Sequence, residues 1–195
     1  MGKARLEAFS DGVFAIIITI MVLDLKIPSG SGLDSILPVF PVFLNYALSF
    51  VYVGIYWNNH HHVLHAVERI NGGVLWANLH LLFWLSLFPF VTGWMGENYT
   101  AAFPTALYGS VLFMAALAYL LLVRVIIAYE GANSLLARAI GSDMKGRVSL
   151  LLYILGVGAA FYSRLVAQLF YVTVALIWLI PDRRIERIIS SSPPG

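Results

Sequence analysis

The sequence predicts an all-α integral membrane protein whose six transmembrane helices leave both termini in the cytoplasm. The first observation is a shortage of charge: 60% of the 195 residues are apolar, 11% are charged, and mean hydropathy is +0.83. Soluble domains carry about 25% charged residues. A chain this poor in charge cannot cover a water-facing surface, so its solvent is mostly lipid. The second observation is a series of apolar runs of crossing length, separated by glycine, proline and charged residues. The third is that Lys and Arg gather in alternate loops, as they do when basic residues stay in the cytoplasm.

Each element follows from its punctuation. Helix one is expected over 6–25 and ends before "KIPSGSG". Helix two, over 36–58, carries "LNYALSFVYVGIYW" and leads into the histidine-rich "NNHHHVLHAVERIN". Helix three, over 73–94, stops at "MGENYT", and helix four spans 104–127. A cytoplasmic loop over 128–147 follows. The stretch from Val148 to Ile180 exceeds the roughly 20 residues of one crossing. "FYSR" supplies a turn that divides it into helices over 148–162 and 165–180. This arrangement puts Lys3, Arg5, Arg69, Arg138, Lys145, Arg147, Arg183, Arg184 and Arg187 inside, with Arg124 near them. It leaves Lys26, Arg164, Asp24, Asp34 and Glu97 outside, whereas five or seven crossings would mix the two sets. The chain reads as a single membrane domain with a flexible tail over 188–195.

Composition also excludes function classes. The net charge is +2, the basic residues sit in loops rather than in one patch, and no Cys/His finger spacing occurs, so nucleic acid is not an expected partner. With no cysteine, disulfides and thiolate metal sites are excluded. The first apolar run has basic residues before it, as a signal peptide would. It is longer than a signal core, lacks a small-x-small cleavage site and contains Asp11, so it is expected to be retained.

The entrance of helix one, "RLEAFSDGVFAIIITIMVLDL" at 5–25, is the most informative stretch. Ser10 or Asp11 could cap a helix beginning at Gly12. Such a helix would span only about 22 Å of a roughly 30 Å hydrocarbon core. A start several residues earlier suits the membrane better and places both residues inside the helix. Asp11 then needs a partner, because an unpaired carboxylate near lipid is costly. Glu7, one turn back, is a like charge, and Arg5 lies about 120° around the helix. The cytoplasmic end of helix two offers donors, so Arg5, Asp11, Asn59 and His60 are expected to form one buried cluster. His61 and His65, spaced i, i+4, suggest a metal pair, but no HExxH carboxylate accompanies them. A cytoplasmic interfacial cluster or pH-sensitive surface is the stronger reading.

The opposite stripe of helix one, Ile16, Ile20 and Leu23 with Phe9 below, reads as lipid-facing or core packing when taken alone. Thr19 flanks it and is expected to back-bond to its own helix. Elsewhere, Pro89 and Gly93 suggest a kink in helix three. Gly156 and Gly158, with Ala159 and Ala160, suggest close helix packing. No GxSxG, Walker loop, "TVGYG" filter or paired membrane carboxylates appear, so no catalysis is indicated.

These residues resemble a known family. "RxxxFSDGVFAIxxTxxxLD" at Arg5 through Asp24, "GIYWNNHH" at 54–61 and "NLHLLFWLSLFPF" at 78–90 are similar to the first three helices of the transmembrane protein 175 potassium-channel family. The chain length suits a bacterial, single-repeat member. The resemblance is dense over 5–95 and rests on hydropathy beyond. It implies a homotetramer in the cell membrane, with helix one of each subunit lining a central pore. Ile16, Ile20 and Leu23 then form the aliphatic constriction, a hydrophobic gate that stops ions by dewetting. Thr19 contributes hydroxyls beside it. Arg5, Phe9, Ser10 and Asp11, with Trp57, Asn59 and His60, form the signature network that anchors the pore helix. The implied partners are copies of the chain, membrane lipids and monovalent cations. Potassium ions permeate in preference to sodium, and no cofactor, metal or enzyme activity is implied.

Two other functions fit the residues less well. A cation- or proton-coupled transporter would use Asp11 and the helix-two histidines, but the chain lacks inverted repeats and paired broken helices. A membrane enzyme would use the histidines with a metal.

Overall fold

The computed structural model describes residues 2–67, 69–131, 133–140 and 143–179. Glu68, Arg183, Arg184, Arg187 and the tail over 188–195 lie outside the described residues. Apart from a short 3-10 turn at Leu33–Ser35, the ordered elements are α-helices. They are α1 (Lys3–Leu23), α2 (Phe40–His65), α3 (Gly72–Ser86), α4 (Phe88–Glu97), α5 (Ala102–Glu130), α6 (Leu135–Ile140), α7 (Met144–Ala159) and α8 (Arg164–Leu179). Among the described residues four spans are long and apolar enough to cross a bilayer: Lys3–Leu23, Phe40–His65, Gly72–Glu97 and Ala102–Glu130. Helices α7 and α8 have 16 residues each, about 24 Å of rise.

Helix α1 starts at Lys3, with Gly2 as an extended N-cap that supplies no side-chain bond. Ser10 and Asp11 therefore sit in its third turn, which excludes the capping alternative. Helix α2 runs to His65, beyond the end expected at 58. "NNHHHVLH" contains neither glycine nor proline, so the hydrogen-bond ladder continues and closes with Ala66 N–H on His62 O at 3.2 Å. Polarity there marks a change of solvent rather than the end of the helix. Asn71 caps α3 by accepting the Val74 N–H at 2.9 Å. The third span breaks at Leu87, where Pro89, lacking an N–H, occupies the first turn of α4. The stretch expected as the loop 128–147 also holds α6 and the first turn of α7. Asp143 caps α7 from a left-handed conformation (φ 42°), which a short polar side chain tolerates.

Helix α5 is the hub, packing on α3, α4, α7 and α8, while α2 packs on α1, α4 and α8. Tyr52, Tyr108, Tyr171 and Phe88 are among the largest fully buried side chains. A phenol buried without a partner is costly, and each of these tyrosines has one. Tyr52 donates to Tyr171 O at 2.5 Å and Tyr171 to Thr105 O at 3.2 Å. The Tyr108 hydroxyl lies 2.9 Å from Ser49 Oγ, which also accepts from Thr92 at 2.7 Å. Tyr171 of α8 threads between α5 and α7, and a Cβ at either Gly109 or Gly156 would collide with its ring. Gly156 thus serves close packing, whereas Gly158 borders open space.

Candidate functional site on the first helix

Helix α1 presents two apolar faces of opposite fate. Leu6, Ser10, Phe14, Ile17 and Met21 recur at intervals of three and four and are buried against the body. This stripe meets α2, α3 and α4. On the other side Phe9, Ile16, Ile20 and Leu23 are exposed, Ile16 at 58% and Leu23 at 80%. Thr19 borders this bare stripe. Its hydroxyl lies 3.0 Å from Ala15 O and 2.9 Å from Ile16 O, so its proton is used within the helix and its oxygen remains an acceptor.

The buried face carries a polar chain. Ser10 donates to Leu6 O at 2.9 Å and accepts from Asn78 Nδ2 at 3.0 Å. Asn78 Oδ1 lies 2.7 Å from His60 Nε2, and because the amide oxygen can only accept, that nitrogen carries the proton. All three side chains are buried, and the His60 ring sits 5.5 Å from the ring of Phe14. The chain ties α1, α2 and α3 at one level, and inside an apolar bundle such a fully paired set fixes register.

Asp11 belongs to a separate, exposed set. One residue turns the helix by about 100°, which carries Asp11 away from Ser10 and toward Trp57, whose Nε1–H donates to Asp11 Oδ1 at 3.0 Å. Trp57 stacks on His61 (centroids 6.3 Å) and His61 on His65 (6.1 Å). Lys3 Nζ donates to His65 O at 2.9 Å, closing the same ends of α1 and α2. Asn59 donates to Ile55 O in its own helix at 2.8 Å, and Arg5 is exposed. The single buried cluster expected of Arg5, Asp11, Asn59 and His60 therefore divides. Only His60 lies in the buried chain, where Ser10 and Asn78 replace the charged partners. Sequence reasoning missed Asn78 as a site residue. Its signal was an amide alone in the apolar run "VLWANLHLLFW", which must find a partner inside the bundle. At the far end of α1, Lys26 Nζ pairs with Glu97 Oε1 at 2.6 Å, tying the loop after α1 to the end of α4.

Comparison with known proteins fits this geometry. Residues 5–89 match the family described as endosomal/lysosomal potassium channel TMEM175. A potassium channel of Chryseobacterium sp. (strain P1-3) is 57% identical over 187 residues, 96% of this chain and 97% of that protein. The human endosomal/lysosomal proton channel TMEM175 is 37% identical over 81 residues, 35% of this chain and 16% of its own length. The fold superposes on the crystal structure of a lysosomal potassium-selective channel TMEM175 homolog from Chamaesiphon minutus with a TM-score of 0.80 and 25% identity, covering 92% of this chain and 97% of that one. With its first helix carrying the signature, and with near full-length identity to a bacterial relative, the chain belongs to the TMEM175 potassium-channel family.

Proposed function

We propose that this chain is the subunit of a potassium-preferring cation channel that conducts passively through a central pore. In this reading each subunit crosses a bacterial cell membrane six times, with both termini cytoplasmic, and four copies surround the pore axis. Ile16, Ile20 and Leu23 face that axis as the aliphatic constriction, with Thr19 beside it. Potassium ions are the permeant species rather than a bound cofactor. Arg5, Phe9, Ser10, Asp11, Trp57, Asn59 and His60 belong to the network that positions the pore helix, and Asn78 joins them.

The observation that carries the reading is the pairing, on one helix, of a pinned polar face with a bare aliphatic stripe. A helix that lines a gate must hold its rotation, since a turn of one residue would replace the gating side chains. The buried chain of Ser10, Asn78 and His60 supplies that hold. Relatives named as potassium channels support the choice of ion. A coupled transporter would need Asp11 and the histidines free to exchange a cation. Here His60, the one buried histidine of α2, is tied to Asn78, and Asp11 accepts from Trp57.

The test is ion flux through purified protein in liposomes, with potassium, sodium and proton gradients in parallel. Wild type is expected to pass potassium faster than sodium. Ile20→Asn is expected to wet the constriction and raise sodium flux several-fold. No passive flux from folded, inserted protein under any gradient would overturn the channel. Unchanged flux in Ile20→Asn would remove α1 from the pore.

A further inference from the structure

Away from α1, the body contains a cavity among α2, α5, α7 and α8. Aromatic rings dominate its wall: Tyr52, Tyr56, Tyr119, Tyr153 and Trp178. They are braced against one another. Tyr56 meets Tyr119 edge-on at 6.2 Å, Tyr119 meets Trp178 at 6.4 Å, and Tyr52 lies 6.4 Å from Tyr153. The Trp178 indole is fixed by its N–H on Ser149 Oγ at 2.8 Å. Asp143 is the single charged residue among those lining the cavity. One of its oxygens accepts the Gly146 N–H at 3.1 Å, which leaves acceptor capacity on the other. Gly146 makes room for that carboxylate, because a Cβ there would stand 2.5 and 2.7 Å from its oxygens. Centres of water-sized spheres reach about 50 Å³. One water needs about 10–15 Å³ by that measure, so the space suits one small methylated headgroup.

We propose that this cavity binds a methylated ammonium group, free or carried as a lipid headgroup. Aliphatic residues would be enough to hold a neutral apolar occupant. Five aromatic side chains joined by one carboxylate, with no Lys or Arg among the lining residues, are the chemistry that recognises a dispersed positive charge. A quaternary ammonium needs no hydrogen bonds, and the wall's N–H groups are already used within the protein, Trp178 on Ser149 Oγ and Asn59 on Ile55 O. The Asp143 carboxylate adds the opposite charge at one side of the ring-lined space. No residue of the exposed α1 stripe lines the cavity, although Asn59 of the α2 network does, so the binding is tested without reference to ion flux.

Equilibrium dialysis of radiolabelled choline against the full-length protein in a choline-free detergent tests it. The competitor is 3,3-dimethylbutan-1-ol, the uncharged carbon isostere. One choline per chain is expected, displaced by tetramethylammonium and not by the alcohol at hundredfold excess. Asp143→Asn and Trp178→Leu are each expected to weaken binding at least tenfold, while Trp178→Phe, which keeps a π face, stays within about threefold. Phe at 178 also guards against misreading a folding defect, and elution volume and thermal midpoint check each variant. Equal displacement by the alcohol, unchanged binding in both Asp143→Asn and Trp178→Leu, or no saturable choline binding by the folded wild-type protein would overturn the proposal. In lipid nanodiscs, loss of choline binding with phosphatidylcholine but not phosphatidylglycerol identifies a lipid headgroup as the occupant. Retention in both identifies a free ammonium compound.

Discussion

The two faces of α1 are built from nearly the same alphabet, yet one is sealed and the other bare. Phe14, Ile17 and Met21 lie at 2–3% exposure, while Ile16 and Ile20, one residue round the helix, stand open at 58% and 44%. Hydropathy cannot tell these faces apart, and in lipid it provides no drive to bury one before the other. What marks the sealed face is a polar chain: Ser10, which donates to Leu6 O, accepts from Asn78 on the body, and Asn78 in turn holds His60. The face that carries this buried polar chain is the packed one, and the aliphatic side chains on the other side are presented.

The comparison can be broken first at Phe14. Phe14→Ala removes a large buried ring from the sealed face and is expected to lower stability by about 3–5 kcal/mol, read as a shift in a denaturant titration of the solubilised protein. Asn78→Leu comes next. It leaves the His60 N–H and the Ser10 oxygen unpaired in the bundle, an expected loss of about 1–3 kcal/mol. It should also loosen the rotation of α1, visible as faster cysteine labelling at an introduced Ile17→Cys. Trp57→Phe keeps the ring and deletes the donor to Asp11. On a half-exposed pair the expected loss is about 1 kcal/mol or less, measured by thermal melting. Ile16→Ala sharpens the contrast from the bare side. Its effect on stability should stay within about 0.5 kcal/mol, while the liposome flux changes; a destabilisation matching that of Phe14→Ala would mean the stripe is packed.

The membrane class was legible because charge poverty and run length are properties of the whole chain. The aliphatic stripe and Asp11 could be read from helical spacing alone. What escaped were pairings between helices. Asp11 was expected to join His60 because both carry polar groups at the same end. The 100° turn between neighbouring residues separates them instead, giving Ser10 the buried partner and Asp11 the exposed indole. Asn78 is an uncharged amide in an apolar run, and its importance depends on what faces it, which only packing decides. The end of α2 was misjudged for a related reason: histidines and asparagines stop a hydrophobic run without stopping a helix. Ser49, Thr92 and Tyr108 form a second hidden set, since each alone looks like an ordinary helix residue.

The ring of Tyr171 between Gly109 and Gly156 bears on the order in which the chain is made. Helices α5 and α7 leave the ribosome before α8 and so meet in the membrane with an unfilled notch between them. Their spacing in the folded chain matches the ring that the later helix supplies. A methyl group at either glycine would meet the Tyr171 ring and so calls for a smaller residue at 171.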